Sequence, residues 1–189
     1  IEAYEKAILY KSDYAEAYSN IGVVLKDQGK LDKAITAYKM AISLKPDYAD
    51  AYNNMGITLH DQGKLDMAIE AYNKSISLKP DYAEAHLNLS FSLLNSGKLK
   101  EGLDKYEWRW KIVNRSSKPR HFSKPLWDGK KSLKGKRILL WSEQGIGDTI
   151  NWSSYLSFVS SKADHCILEC KEKVIPLLER SFPNVVIRT

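Results

Sequence analysis

AEAYSNIGVVLKDQGKLDKAITAYKMAISLKPDY (residues 15–48) is followed without a gap by ADAYNNMGITLHDQGKLDMAIEAYNKSISLKPDY (49–82). Tyr18 falls on Tyr52, Gly22 on Gly56, Leu25 on Leu59, Ala34 on Ala68, Tyr38 on Tyr72 and Pro46 on Pro80, every pair at the same offset, the length of one unit. Within each unit, apolar residues return at the three- and four-position spacing of an amphipathic helix. The DQGK segments (27–30 and 61–64) place a glycine where a left-handed residue stops one helix before the next begins. Gly22 and Ala34 are small because two helix backbones must approach closely there. Pro46 and Pro80 end each second helix, and Asp47 and Asp81 satisfy the turn that follows. A single helix pair cannot bury its own apolar face, so the units must stack.

Working outward, a looser third copy runs from Ala83 to about Lys111, with Leu89, Leu93, Gly97 and Tyr106 in register. It departs at Ser90, Gly102 and Arg109, and Trp108 and Trp110 follow where the other copies approach their proline, which predicts a longer final helix. Upstream, IEAYEKAILYKSDY (1–14) matches the second helix of a copy, with Ser12 in place of proline; further repeats are expected before it. The recurring tyrosines, glycines and alanines of this stretch resemble the tetratricopeptide repeat. That resemblance implies a stack of helix pairs holding a peptide or protein in a concave face lined by the first helix of each pair. It places groove-facing side chains at Glu16, Ser19, Val23 and Lys26, at Asp50, Asn53, Ile57 and His60, and at Glu84, Leu87, Phe91 and Leu94. Asn20, Asn54 and Asn88 recur at the same interval and form a column of side-chain amides, each with two donors and an acceptor. The column is similar to the asparagine ladder of protein O-GlcNAc transferases; the competing reading is that these amides bond a neighbouring helix. No lysine and arginine clamp for a terminal carboxylate is evident. Self-association through the open end of the stack is a further expectation.

Charge divides the chain. Residues 1 to 106 carry 13 Lys or Arg against 15 Asp or Glu, and the remainder carry 16 against 8. Between Arg109 and Arg137 eleven basic residues face one acid, Asp128. The segment 114–135 is rich in Ser, Pro, Gly and Lys and reads as a basic linker over the surface. Phe122 and Trp127, in proline contexts, suit docking on neighbouring domains better than tracking bases, so nucleic acid is not an expected partner. No apolar run is long enough for a membrane span. Two cysteines exclude a disulfide scaffold; Cys166 and Cys170, four apart on one strand, are too distant to pair, and with His165 they lack a fourth ligand at zinc spacing. No metal site or bound cofactor is expected, and the low cysteine count points to a reducing, cytoplasmic location.

After Gly135 the period becomes that of strands. KRILLWS (136–142), HCILEC (165–170) and NVVIRT (184–189) read as strands, separated by helices in INWSSYLSFVSS and KVIPLLERSF. The expected fold class is therefore an α-solenoid of helix pairs over 1–113 (an orphan second helix at 1–14, then repeats 15–48, 49–82 and 83–113), the linker 114–135, and a partial βαβαβ, Rossmann-like segment over 136–189. Gly145 and Gly147 allow a tight turn and close ligand approach after the first strand, and Asp148 can cap the next helix. The spacing is neither the dinucleotide fingerprint nor a P-loop. YEWRW, PLWDG and RILLWSEQGIGDTI, in that order, resemble a glycosyltransferase-like domain of two Rossmann-like halves, as in heptosyltransferases. The resemblance implies Asp148 as the base that deprotonates an acceptor hydroxyl, Gly145 and Gly147 against phosphate or sugar, and a nucleotide sugar as donor for the parent protein. The other reading of Asp148 is a helix cap. The stretch from Lys136 to Thr189 is too short for a complete transferase of that kind, and the expected role of the chain itself is a protein-binding module.

Overall fold

The computed structural model describes residues 14–112, 120–142 and 145–189. The orphan helix expected at 1–14 lies outside the described residues, apart from Tyr14. The chain divides between Lys118 and Pro119 into two units, each with its own core.

The first unit is a run of paired helices: α1 (Ala15–Asp27), α2 (Leu31–Leu44), α3 (Ala49–Asp61), α4 (Leu65–Leu78), α5 (Ala83–Asn95) and α6 (Leu99–Tyr106). The turns within pairs are closed by Gly29, Gly63 and Gly97, with φ of +73°, +74° and +80°, as the DQGK reading requires. None of the six helices has a side-chain cap at its N-terminus; each instead carries an acid in its first turn, from Glu16 in α1 to Glu101 in α6, against the positive end of the helix dipole.

The small residues have a more specific reason than backbone approach. A Cβ on Gly22 would lie 2.5 Å from the Tyr38 ring, and one on Gly56 2.6 Å from the Tyr72 ring. These rings, 0% and 2% exposed, are the largest buried side chains of their repeats and lie against bare helix backbone. Burial pushes the Tyr38 phenol up to about 12. In the third repeat Ser90 fills the glycine position and is wholly buried, donating its hydroxyl to the Leu87 carbonyl at 2.6 Å. Its partner Tyr106 is only half-buried and meets Phe91 edge-on at 6.0 Å. The degenerate copy has exchanged one packing solution for another.

The final helix is shorter than the sequence predicts. α6 ends at Tyr106 and tightens into a 3-10 turn over Glu107–Lys111. Trp108 there stacks on His86 with ring centres 3.6 Å apart and planes at 10°, while Lys111 sits 3.7 Å over the indole. Arg109 lies over both Tyr106 and Trp110. These contacts favour the tighter winding over another α-turn.

The second unit holds β1 (Arg137–Trp141), α7 (Ile146–Trp152), α8 (Leu156–Ser160), β2 (His165–Glu169), α9 (Ile175–Ser181) and β3 (Val186–Arg188). The strands form a parallel sheet in the order β1-β2-β3, with Ile138 opposite Cys166 and Leu168 opposite Ile187. Those four side chains belong to the core formed with Leu156, Val159 and Leu178. Where one helix is expected in 150–161, the structure has α7, a 3-10 turn at Ser153–Tyr155 and then α8. Ser153 and Ser154 donate their hydroxyls to the carbonyls of Ile150 and Asn151, competing with the helix's own hydrogen bonds. Cys166 and Cys170 are free and buried, and burial raises both thiols. The described part of the basic linker is not all surface: Leu133 is in the core and Trp127 packs against it, its indole N–H donated to the Lys131 carbonyl at 2.8 Å.

Candidate functional site

The candidate site is the face of the first unit formed by α1, α3 and α5, the first helices of the three pairs. Equivalent positions on these helices recur at the constant interval of the repeat. Helices α3 and α5 touch directly, as do α1 and α3, so these positions run in columns.

The structure separates the expected groove residues into three groups. Asn20, Asp50, Glu84 and Phe91 are exposed, and Val23, Lys26, Asn54, Ile57, Leu87 and Leu94 are half-buried. Of these, Lys26 pairs with Asp27 at 3.4 Å and Asp50 accepts the Tyr82 hydroxyl; the others are available to a ligand. Glu16 is half-buried and already engaged, its carboxylate 3.1 Å from the Lys45 ammonium. Ser19 and Asn53, expected in the groove, are 2% and 4% exposed and therefore do not face a ligand.

Asn53 shows why. Its side-chain oxygen accepts a hydrogen bond from the Asn88 amide of the next repeat at 3.0 Å. Asn88 thus follows the reading in which the amide bonds a neighbouring helix, while Asn20 stands exposed and Asn54 half-buried. His60 is likewise recruited between repeats. Its Nδ1 lies 2.7 Å from the hydroxyl of wholly buried Ser92, and its Nε2 lies 3.2 Å from the Asn95 amide nitrogen. Both ring nitrogens are occupied within the protein, so His60 offers a ligand only its ring edge. No local pattern announces the Ser92 and Asn95 partners, because both belong to the following repeat.

This face also changes character along the stack. Positions Val23, Ile57 and Phe91 grow in apolar area, and Lys26 and His60 give way to Leu94. Exposed Phe91 makes the third repeat the apolar end.

His86 occupies the packing position held by Tyr18 and Tyr52. It is 4% exposed, its Nε2 is 2.9 Å from the Pro80 carbonyl, and its Nδ1 has no described partner. Burial first, and the charges of Lys105 and Lys111 after it, hold its pKa below the ordinary histidine value, the Pro80 bond opposing them. A histidine that folds with a depressed pKa stabilises the native state above its unfolded pKa, and that contribution is lost as pH falls through about 6.5 toward the folded value. The expected result is a melting temperature of the first unit that declines from about pH 7.5 to about 5.5. In His86→Phe, which keeps an aromatic ring against Trp108, the decline should be smaller; thermal denaturation followed by circular dichroism checks it.

In the second unit, Asp148 is exposed and accepts the Gly145 backbone N–H at 3.2 Å, as the third residue of α7. This is the geometry of a capping residue. Gly145 is extended (φ −67°, ψ 173°) and precedes α7, and Gly147 lies inside α7; neither has a positive φ. A Cβ on Gly147 would meet nothing within 4 Å, so the helix is open to solvent at that residue. Among the described residues no helix is long and apolar enough to cross a membrane.

Comparison with known proteins bears on the helical unit. Residues 24–63 match the family model described as TPR repeat, and residues 49–82 the one described as Tetratricopeptide repeat. The fold is similar to a crystal structure of MamA at 31% identity, covering 58% of this chain and 64% of that one with a TM-score of 0.54. A second MamA crystal structure, also at 31% identity, gives 58%, 60% and 0.53. The first TPR of Spaghetti (RPAP3), bound to an HSP90 peptide, shares the fold at 22% identity, with 54% of this chain, 82% of that one and a TM-score of 0.52. The chain thus spans 64% of the length of the first MamA structure. No curated protein sequence matches it. Sequence period, helix pairing and these likenesses agree that the first unit, through residues 24–82, is built of tetratricopeptide repeats.

Proposed function

We propose that the chain is a protein-binding scaffold that holds an extended peptide along the α1, α3 and α5 face. The observation that carries this reading is the alternation of accessible amides and apolar side chains on that face. Asn20 and Asn54 present donors and acceptors to a peptide backbone, and Val23 and Ile57 lie one turn further along the same helices, with Phe91 in the same column, to receive its side chains. A tetratricopeptide fold with a peptide bound, as in the RPAP3 structure, supports the same use of the fold. The two exposed carboxylates Asp50 and Glu84 favour a peptide with a basic residue at the matching step.

The test is an array of immobilised octapeptides of varied sequence, probed with the full chain and with the double variant Asn20→Ala, Asn54→Ala. Each lost backbone hydrogen bond contributes roughly 0.5–1.5 kcal/mol, so the double variant should bind about tenfold more weakly. Helicity should be unchanged because neither amide is buried. Equal binding by the two proteins would refute the reading.

A second reading concerns the second unit. Its parallel β-α-β order and the exposed Asp148 at the start of α7 support our proposal that it is the opening of a Rossmann-like, nucleotide-sugar transferase domain of the parent protein. Asp148 would then deprotonate an acceptor hydroxyl within hydrogen-bond reach, at about 2.6–3.2 Å. Turnover of a nucleotide sugar by the full-length protein, abolished in Asp148→Asn, is the expected result. Turnover that survives the substitution leaves Asp148 as a helix cap.

A further inference from the structure

The second helix of each pair meets the first helix of the next, α2 against α3 and α4 against α5. Ile35 of α2 is 8% exposed and shares a core with Leu59 of α3; Ile69 of α4 packs on the same core, which includes Leu89 and Leu93 of α5. In each case two aliphatic residues four apart on the incoming helix, Met55 with Leu59 or Leu89 with Leu93, supply the contact. The third repeat has the same receiving face. Leu99 and Leu103 of α6 are the repeat equivalents of Leu65 and Ile69, yet they are 62% and 49% exposed. Lys100 stands where α2 has Asp32, whose carboxylate accepts the Gln62 amide of the incoming helix at 2.9 Å.

We infer that the Leu99 and Leu103 face of α6 is a docking site for a helix from a partner protein, a site distinct from the peptide face. Continuity with the two interfaces already built into the stack specifies the occupant. It is an amphipathic helix with small residues in its first turn, as in the buried Ala51 and Ala85, and two large aliphatic residues four apart one to two turns later. Because Lys100 replaces an acid, the occupant carries a carboxylate at its C-terminal end, where α3 has Gln62.

The test uses the full chain and a fluorescent synthetic peptide with the sequence of residues 47–63 carrying Gln62→Glu. Saturable binding is expected by fluorescence anisotropy, weakened about tenfold by Leu103→Lys and, separately, by Met55→Lys with Leu59→Lys in the peptide. Leu103 is exposed, so its replacement leaves the fold intact, and circular dichroism verifies this. Leu99→Lys serves as a second, independent variant. Asn20→Ala with Asn54→Ala should leave this binding unchanged, so the docking site and the peptide face fail or succeed separately. Binding that is absent, or identical with Leu103→Lys and Leu99→Lys, overturns the inference. So does a concentration-dependent dimer abolished by Leu103→Lys, which would assign the face to a second copy of the chain.

Discussion

Tyr72→Ala is expected to lower the unfolding free energy of the first unit by about 3–5 kcal/mol, as emptying a fully buried aromatic site does. The ring is 2% exposed and lies on the bare backbone of Gly56, where a Cβ would come within 2.6 Å of it. Because α3 cannot move inward without breaking its contacts with α2 and α5, the cavity collapses only in part. A small domain has about 5–15 kcal/mol of stability in all, so this loss removes a large share of it. Tyr106→Ala, at the equivalent position of the third repeat, should cost clearly less, because Ser90 has replaced the glycine and the ring is only half-buried. Urea denaturation monitored by far-ultraviolet circular dichroism checks both. Equal losses would show that the ring's packing on glycine is not what holds the repeat.

Leu178→Ala is the counterpart in the second unit, with an expected cost of about 2–5 kcal/mol. Leu178 is 1% exposed and packs in the cluster that joins α9 and α8 to the inward side chains of the sheet, including Ile138, Leu168 and Ile187. The two units have separate apolar clusters, so the damage should remain local. Hydrogen exchange should therefore show the Leu168 amide losing protection while that of Leu59 in α3 stays as in the unmodified chain. Loss of protection at both positions would mean that the units fold as one.

Much of the fold was legible because it depends on residues whose reasons are local. Gly29, Gly63 and Gly97 announce left-handed turns, and the apolar spacing between them announces helices. The parallel strand order likewise follows from alternating periods. What escaped the sequence depends on partners distant along the chain or on competition within a turn. Asn53 reads as a groove residue until Asn88, in the next repeat, is seen to bond it. His60 reads as a ligand contact until Ser92 and Asn95 occupy its ring nitrogens. The serines at 153 and 154 carry a helical apolar pattern around them, yet their hydroxyls take the carbonyls that would continue the helix. The stack of Trp108 on His86 shortened a helix that apolar spacing alone extends. Of the site itself, the columns were legible from the constant repeat interval. Which members of each column face outward was not, since a rotation of one position on a helix exchanges ligand contact for core.

Whether a peptide binds on the α1, α3 and α5 face is measured most directly by amide chemical-shift mapping of the full chain, titrated with the tightest octapeptide from the array. The expected perturbations fall on Asn20, Val23, Asn54, Ile57 and Phe91, with α2, α4 and the second unit unaffected. Perturbations confined to α2 and α4, or to residues after Pro119, would contradict peptide binding on that face.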